Sequence, residues 1–302
     1  MSGILNAVEL LCGEIKESFE RMNEQDLHSI DEIRLRAGKN ITVTVGSKDL
    51  FVTDTGAVTN DISSGLISKE SDIEYAFKAA FSYSLHSYSK ELAMGYITTK
   101  GGNRVGICGT AVVSSNNYSD VDTVKYISSI NIRISRQITG FADELCRRCF
   151  LNGLSSVLII GTPSSGKTTL LRDTARILGK THKLSIVDEQ NEISATYRNK
   201  PQNDVGTLSD VFVGYPKHIG ILTAIRVMSP KLLIVDEIGT EYECDALESA
   251  VHSGVKLITA VHGDSLEGTL KRKTLSRLIE LGAFDYAAVL HEGFKYELIK
   301  LQ

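Results

Sequence analysis

The sequence predicts an α/β protein in which a parallel sheet, covered by helices on both faces, follows a smaller α+β domain. Its second half contains four short, largely apolar runs rich in β-branched residues, separated by stretches with helical spacing. These runs are residues 157–160, 184–187, 232–235 and 257–261. Continuous apolar strands between helices are typical of a parallel sheet that is buried on both faces. The first half has short alternating elements instead, so we predict an α+β domain over residues 1–140 and the parallel-sheet domain over residues 141–302.

The composition is that of an ordinary globular protein. The chain has 302 residues, 42% hydrophobic and 23% charged, and this length accommodates two domains. The formal net charge of −4 excludes a polycation that coats nucleic acid, although it allows a local basic face. Five cysteines, scattered and odd in number, favour a reduced cytoplasmic setting. Cys146 and Cys149 have CxxC spacing without a second ligand pair, which favours two half-buried helix residues over a metal site.

The sequence offers no candidate for a membrane span. A spanning helix needs about 20 consecutive apolar residues, and no stretch of the chain reaches that length. Residues 1–19 contain acidic side chains and lack a basic leading segment, so we expect an amphipathic helix there and not a signal peptide. We therefore expect any association with a membrane to come through partners or a surface helix.

The first half is predicted to fold from short strands and helices. Residues 32–36 and 41–45 alternate polar and apolar side chains on either side of residues 37–40, which indicates a β-hairpin. Residues 68–82 begin with acidic side chains, as the first turn of a helix often does. The other predicted elements are helices at 85–94 and 141–151 and strands at 96–99, 104–113 and 130–134.

A phosphate-binding loop is predicted where the first apolar run of the second half ends. Gly161, Gly166, Lys167 and Thr168 fit the pattern G-x-x-x-x-G-K-[ST], although Ser164 stands where many such loops have glycine. The loop turns its backbone N–H groups inward, and the following helix adds the positive end of its dipole. Lys167 then reaches the β- and γ-phosphates, and the Thr168 hydroxyl binds Mg²⁺. The predicted ATP-binding residues are Gly161, Thr162, Pro163, Ser164, Ser165, Gly166, Lys167, Thr168 and Thr169.

Two adjacent acids follow the third apolar run. Asp236 is expected to hold Mg²⁺, and Glu237 to polarise water for attack on the γ-phosphate as a general base or orienting group. A glutamate directly after the aspartate favours ATP hydrolysis in a RecA-like P-loop NTPase over a GTPase switch or a small-molecule kinase. The alternative is a strand end that carries two solvated acids.

Three further residues are candidates from their positions alone. His262 ends the fourth apolar run, which we expect to lie between the phosphate-loop strand and the Asp236 strand, so it is a candidate γ-phosphate sensor. Glu189 follows the second run and is placed to position water, because strand ends face the ligand crevice in such sheets. Arg226 faces either a phosphate or a neighbouring subunit. A structural histidine, a charged loop and a surface ion pair are the respective alternatives.

The motifs together resemble the stage III sporulation protein AA family of spore-forming Firmicutes. The resemblance rests on GTPSSGKTTLLRD (161–173), VDEQNEI (187–193) and the stretch 224–263, with DEIRLRAGKNI (31–41) and ISSINIRISRQITG (127–140) in the first half. It implies an ATP- and Mg²⁺-dependent enzyme similar to the traffic ATPases of type II and type IV secretion, with a hexameric ring. It also implies a mother-cell cytoplasmic protein that energises a channel complex facing the forespore, built from other proteins of the same operon.

The resemblance also implies roles for single residues. His262 matches the histidine of the secretion ATPases, and the arginines of their N-terminal domains reach the nucleotide across a domain or subunit junction. Arg133 and Arg136 are the candidates for that role here, and a strand with its polar face in water is the alternative. The chain lacks the tetracysteine zinc module of the larger secretion ATPases, so its coupling to a substrate must differ from theirs.

Three other function classes stay open at this point. A nucleotide-dependent scaffold would use binding alone, although the presence of Glu237 argues against it. A nucleic-acid motor would use a basic surface, but residues 271–273 (KRK) form only a short charge run and the chain is net acidic, so we expect no nucleic-acid partner. A small-molecule kinase would need an acceptor pocket, which the sequence does not show.

Overall fold

The computed structural model describes residues 3–81, 89–113 and 121–301. The chain divides into two compact units, Met1–Arg136 and Gln137–Gln302. The predicted helix at 85–94 begins outside the described ranges, and its described part is α5, Ser89–Met94.

The first unit begins with short helices. The predicted single amphipathic helix at the N-terminus is wrong, because the chain forms α1 and α2 instead. The break falls at Cys12 and Gly13, where Cys12 is extended and Gly13 has a φ of +53°, a left-handed conformation that favours glycine. The helices of this unit are α1 (Gly3–Val8), α2 (Gly13–Arg21), α3 (Glu24–Ser29), α4 (Glu70–Ala80) and α5 (Ser89–Met94).

A seven-stranded sheet in the order β5-β4-β3-β1-β9-β8-β7 forms the body of the first unit. The predicted hairpin is present as the antiparallel pair β1–β3, in which Ile33 lies opposite Val43. The strand predicted at 130–134 is the end of a much longer one. The strands of this sheet are β1 (Ile30–Arg36), β3 (Thr42–Val45), β4 (Lys48–Val52), β5 (Val58–Thr59), β7 (Tyr96–Thr98), β8 (Arg104–Val113) and β9 (Val121–Arg133). Strands β2 (Lys39–Asn40) and β6 (Ile67–Ser68) pair with each other in a separate two-stranded sheet.

Alternation along these strands builds the core of the first unit. Ile33, Leu35, Ile130 and Ile132 are buried on one face of the sheet, where Phe19 and other helix residues pack against them. Their neighbours along β1 and β9 are only partly buried or exposed, as period-2 patterning requires.

A second seven-stranded sheet, in the order β12-β11-β13-β14-β10-β15-β16, forms the centre of the second unit. All of its neighbouring strands are parallel except the edge pair β15–β16. The strands are β10 (Val157–Gly161), β11 (Leu184–Asp188), β12 (Ser209–Val213), β13 (Leu232–Glu237), β14 (Lys256–His262), β15 (Tyr286–His291) and β16 (Lys295–Lys300). The helices are α6 (Asp143–Cys149), α7 (Lys167–Leu178), α8 (Lys217–Met228), α9 (Glu241–His252), α10 (Leu266–Leu270) and α11 (Lys273–Glu280).

The position of β14 brings the predicted functional residues to one edge. As predicted, β14 lies between β10 and β13, and its register sets Gly161 opposite His262 and Val235 opposite Thr259. Parallel neighbours end at the same edge of a sheet, so the phosphate loop, the acids and the histidine all follow carboxyl ends of adjacent strands.

Apolar side chains fill both faces of this sheet, which explains why its strands are continuously hydrophobic. Cys149 is buried and Cys146 half-buried on α6, as expected. Burial raises the pKa of Cys146 to about 12 and that of Cys149 to about 11, so both thiols are protonated at neutral pH. Among the described residues, no helix has the length and apolar character needed to cross a bilayer.

Candidate active site

The loop between β10 and α7 has the backbone shape of an anion nest. Ser164 has a φ of +61° and Gly166 a φ of +99°, so left-handed residues interrupt the loop just before the helix. Turns of this kind make a concave surface of N–H groups, to which α7 adds the positive end of its dipole. Gly161 has no room for a side chain, because a Cβ there would lie 2.3 Å from Ser165 Oγ.

Two polar groups of the loop suit a phosphate ligand. Ser165 Oγ is buried and has no hydrogen-bond partner within the described part of the chain. The Lys167 ammonium is also buried and donates to the loop carbonyls of Gly161 and Thr162 at 2.9 and 3.0 Å. Desolvation lowers the pKa of Lys167, whereas Glu237 and Asp236 oppose that shift. A triphosphate in the nest would accept hydrogen bonds from both groups, so the residues present fit a nucleotide.

Lys167, His262 and Glu237 form a connected triad at the carboxyl edge of the sheet. His262 Nδ1 lies 3.1 Å from Lys167 Nζ, and His262 Nε2 lies 2.8 Å from Glu237 Oε1. Lys167 Nζ is also 3.9 Å from Glu237 Oε2. Because an ammonium only donates, Nδ1 accepts from Lys167, and the proton on Nε2 is directed at the carboxylate. The strand order therefore places a cation, an imidazole and a carboxylate within one hydrogen-bonded group.

A cavity of about 380 Å³ adjoins this triad. It is lined by Thr168, Gln190, Glu192, Lys217, Asp236, Glu237, Ile238, Gly239, Thr240 and Glu243. The two predicted Mg²⁺ ligands, Thr168 and Asp236, thus share one cavity with Glu237. Burial raises the pKa of Asp236 to about 6, with further contributions from Asp188 and Glu192.

The donor set fits Mg²⁺ only together with a nucleotide. Within the described ranges, no cluster of three or more His, Cys, Asp or Glu side chains could hold a metal by itself. Mg²⁺ commonly takes one or two protein oxygens and completes its octahedron with phosphates and water. Thr168 and Asp236 would be those two oxygens.

We expect the Asp236→Asn substitution to stabilise the metal-free protein at high pH more than at low pH. The carboxyl has a pKa of about 6 in the folded protein against an ordinary value of 3.8, so its contribution to stability is lost as the pH rises from 4 through 6. The gain in the free energy of unfolding should be larger at pH 8 than at pH 5 by about 1 kcal/mol. Urea unfolding in EDTA, followed by circular dichroism, measures it. A gain that is equal at the two pH values would contradict the burial of an ionised Asp236.

Sequence reasoning missed Lys217, the first residue of α8. Its Nζ lies 3.6 Å from Glu189 Oε2 and 3.8 Å from Glu243 Oε1, and the side chain lines the cavity. Glu243 is itself fixed, because its carboxylate caps α9 by accepting from the backbone N–H groups of Gly239 and Thr240. A lysine in the first turn of a helix opposes the helix dipole, and this unfavourable position could have signalled a nearby acid.

The loop after β11 holds a second missed residue, Glu192. Asp188 shapes this loop by accepting hydrogen bonds from the backbone N–H groups of Glu192, Ile193 and Ser194 and from the Ser194 hydroxyl. Glu192 is therefore the acid of this loop that lines the cavity, whereas the predicted Glu189 contacts Lys217.

Of the three predicted arginines, Arg226 lies in the second unit, and Arg133 and Arg136 lie in the first. Arg226 is exposed, in the last turn of α8, nine residues beyond Lys217 and so about 13 Å along the helix. In the first unit, Arg133 lies 3.9 Å from Glu32, and Arg136 pairs with Asp31 at 2.8 Å. A role in trans for any of them stays a prediction.

Comparison with known proteins identifies the family. A family model described as "Sporulation stage III, protein AA" matches residues 5–299. The chain belongs to this family. The stage III sporulation protein AA of Bacillus subtilis (strain 168) is 36% identical to it over 283 residues, which are 92% of this chain and 87% of that protein. The family predicted from the motifs is therefore confirmed.

Two solved structures share the fold of this sporulation protein AA homologue. The ATPase DotB of Legionella pneumophila aligns with a TM-score of 0.55 and 16% identity, over 95% of this chain and 78% of DotB. The pilus retraction motor PilT with bound ADP aligns with a TM-score of 0.58 and 14% identity, over 94% of this chain and 80% of PilT. At such identities the likeness shows the fold alone, and it confirms the predicted fold class.

Proposed function

We propose that this protein is an ATPase of the secretion-motor type that hydrolyses ATP to ADP and phosphate with Mg²⁺. The observation that carries the proposal is the Lys167–His262–Glu237 triad beside an anion nest. A purely structural ion pair would not need a buried lysine that contacts loop carbonyls, or a buried hydroxyl without a partner. DotB, which has the same fold, is described as an ATPase, and PilT was solved with bound ADP, so both support the choice of nucleotide.

The chemistry divides among the residues of the site. The loop N–H groups and Lys167 bind the triphosphate and stabilise charge on the transferring γ-phosphoryl group. Glu237 holds the attacking water and accepts its proton, and His262 senses the γ-phosphate from between Lys167 and Glu237. Bound Mg²⁺, held by Thr168 and Asp236, would neutralise charge on the phosphates. Lys217, paired with Glu189 and Glu243, adds a positive charge to the cavity that Glu192 and Asp236 also line.

The finer function follows the family and is part of the proposal. We infer a homo-hexameric ring that acts on the cytoplasmic side of the mother cell, held at the membrane by other stage III sporulation proteins. ATP hydrolysis would drive assembly of, or transport through, a channel complex facing the forespore. Arg133, Arg136 or Arg226 would complete a neighbour's site only in the assembled ring.

Phosphate release by the purified chain, coupled to sedimentation with and without MgATP, tests the proposal. We expect ATP- and Mg²⁺-dependent phosphate release and a nucleotide-dependent shift to a larger particle. Single-stranded DNA or RNA should leave the rate unchanged, because no nucleic-acid partner is proposed. Nucleotide binding without phosphate release, under conditions in which the larger particle forms, would favour a scaffold and contradict the ATPase.

A further inference from the structure

Three aromatic rings lie against the end of the phosphate loop and have no role in the triad. Phe141 and Phe294 pack edge to face with centroids 5.3 Å apart, and Phe141 packs on Tyr296 at 5.5 Å. Both phenylalanines reach the loop, since a Cβ on Gly166 would lie 3.3 Å from Phe294 Cε1 and 3.5 Å from Phe141 Cε1. An aromatic surface thus begins where the nest of N–H groups ends.

Phe294 has a backbone conformation that is unfavourable for a bulky side chain. It follows Gly293 in the turn between β15 and β16 with a φ of +56°, a left-handed conformation that is rare for a bulky side chain. Phe294 is 51% exposed, so burial offsets little of the strain. Residues held in sparsely populated conformations cluster at active sites and ligand clamps.

The other two rings are held firmly. The Tyr296 hydroxyl donates to the carbonyl of Phe141 at 3.2 Å and accepts from the N–H of Leu145 at 2.9 Å. The N–H of Ala142 donates to the buried Asp173 carboxylate of α7 at 2.7 Å, which anchors the backbone beside Phe141. Tyr296 and the backbone at Phe141 are therefore held in place by hydrogen bonds, whereas Phe294 is exposed.

We propose that Phe294, supported by Phe141, is the stacking surface for the purine base of the bound nucleotide. The inference rests on the proposed function, because it assigns the base end of the molecule whose phosphates occupy the nest. A flat, apolar ring face beside Gly166 matches the chemistry of adenine, and stacking on an aromatic side chain contributes to the binding of every base it contacts. The nest binds any polyphosphate, so this surface is what distinguishes a nucleotide from inorganic polyphosphate.

A single-tryptophan reporter tests contact directly, since the chain has no tryptophan. We expect the emission of Phe294→Trp to fall strongly when MgATP is added and to change little with magnesium tripolyphosphate. Leu151→Trp is the matched control, because Leu151 is 77% exposed and lies ahead of β10, at the opposite edge of the sheet. Its emission should not respond to either ligand. Equal responses of Phe294→Trp to ATP and tripolyphosphate would overturn the assignment.

Loss of the ring tests its contribution to affinity. We choose Phe294→Asn because asparagine tolerates the left-handed conformation, so the turn should keep its shape. Calorimetry should show MgATP binding weakened about tenfold, with tripolyphosphate binding unchanged. Unchanged ATP affinity would overturn the inference, and a changed sedimentation coefficient with unchanged ATP affinity would assign Phe294 to contact with a second copy. If the wild-type protein binds neither ATP nor tripolyphosphate, the proposed ATPase function itself is wrong. That result differs from both outcomes for the Phe294→Asn variant.

Discussion

We expect the Glu237→Gln variant to bind MgATP as the wild-type protein does and to release phosphate about 10² to 10⁴ times more slowly. The amide can still accept the hydrogen bond that His262 Nε2 donates to Glu237 Oε1 at 2.8 Å, so the triad should remain assembled. What the amide cannot do is accept a proton from the attacking water. The loss should therefore fall on the rate at saturating ATP and leave the dissociation constant within a few-fold of its original value.

The measurement is phosphate release at saturating MgATP, paired with calorimetric binding to the same preparation. Glu241→Gln is the matched control, because Glu241 is an exposed acid in the first turn of α9, close in sequence but outside the cavity lining. It should retain the wild-type rate. Turnover by Glu237→Gln at the rate of the Glu241→Gln control would remove Glu237 from the reaction. A parallel loss of ATP binding would assign it to holding the ligand.

The parts of the site that follow parallel strands could be predicted from the sequence. A short β-branched run allows little besides a buried strand, and the residue after it must emerge at the carboxyl edge. This is why the position of His262 at a strand end follows from the pattern, whereas its adjacency to Gly161 was expected from the strand order common in P-loop NTPases. Strands β12 and β16 were not predicted, because they are the two edge strands, where partly exposed residues break the apolar run. Strand β15 was not predicted either, although residues 287–290 are apolar and buried, because its two alanines give a weak strand signal.

The parts that depend on tertiary packing could not be predicted. Lys217 reaches the cavity only because α8 begins beside β11 and α9, and no local pattern encodes that arrangement. That Glu192 lines the cavity instead of the predicted Glu189 also depends on tertiary structure. Asp188 shapes this loop through hydrogen bonds to backbone N–H groups, which hydrophobic periodicity does not reveal. The division of the N-terminal helix was predictable in principle, because Gly13 lies within the stretch that we assigned to one helix.

The Lys167→Met substitution should weaken MgATP binding about a hundredfold, because it removes a charge-assisted contact with the phosphates worth about 3 kcal/mol. The free energy of unfolding of the nucleotide-free protein should not fall by a comparable amount. Burial lowers the pKa of Lys167, so the ammonium is costly to bury before phosphate arrives, and methionine of similar length removes that cost. The carbonyls of Gly161 and Thr162 and the Nδ1 of His262 lose a donor, and Glu237 loses a nearby cation, which offsets part of the gain.

Calorimetric titration with MgATP and thermal unfolding in its absence separate these two effects. Lys180→Met is the matched control, since Lys180 is an exposed lysine just after α7 and should change neither quantity. A lysine kept only to hold the loop in shape would give the reverse pattern, with a lower unfolding temperature and ATP affinity reduced only as far as the fold is lost. Retained stability with lost affinity shows that the site was built to bind a ligand. That conclusion, together with the Glu237 result, distinguishes an enzyme from a scaffold, because the first variant removes binding and the second removes only turnover.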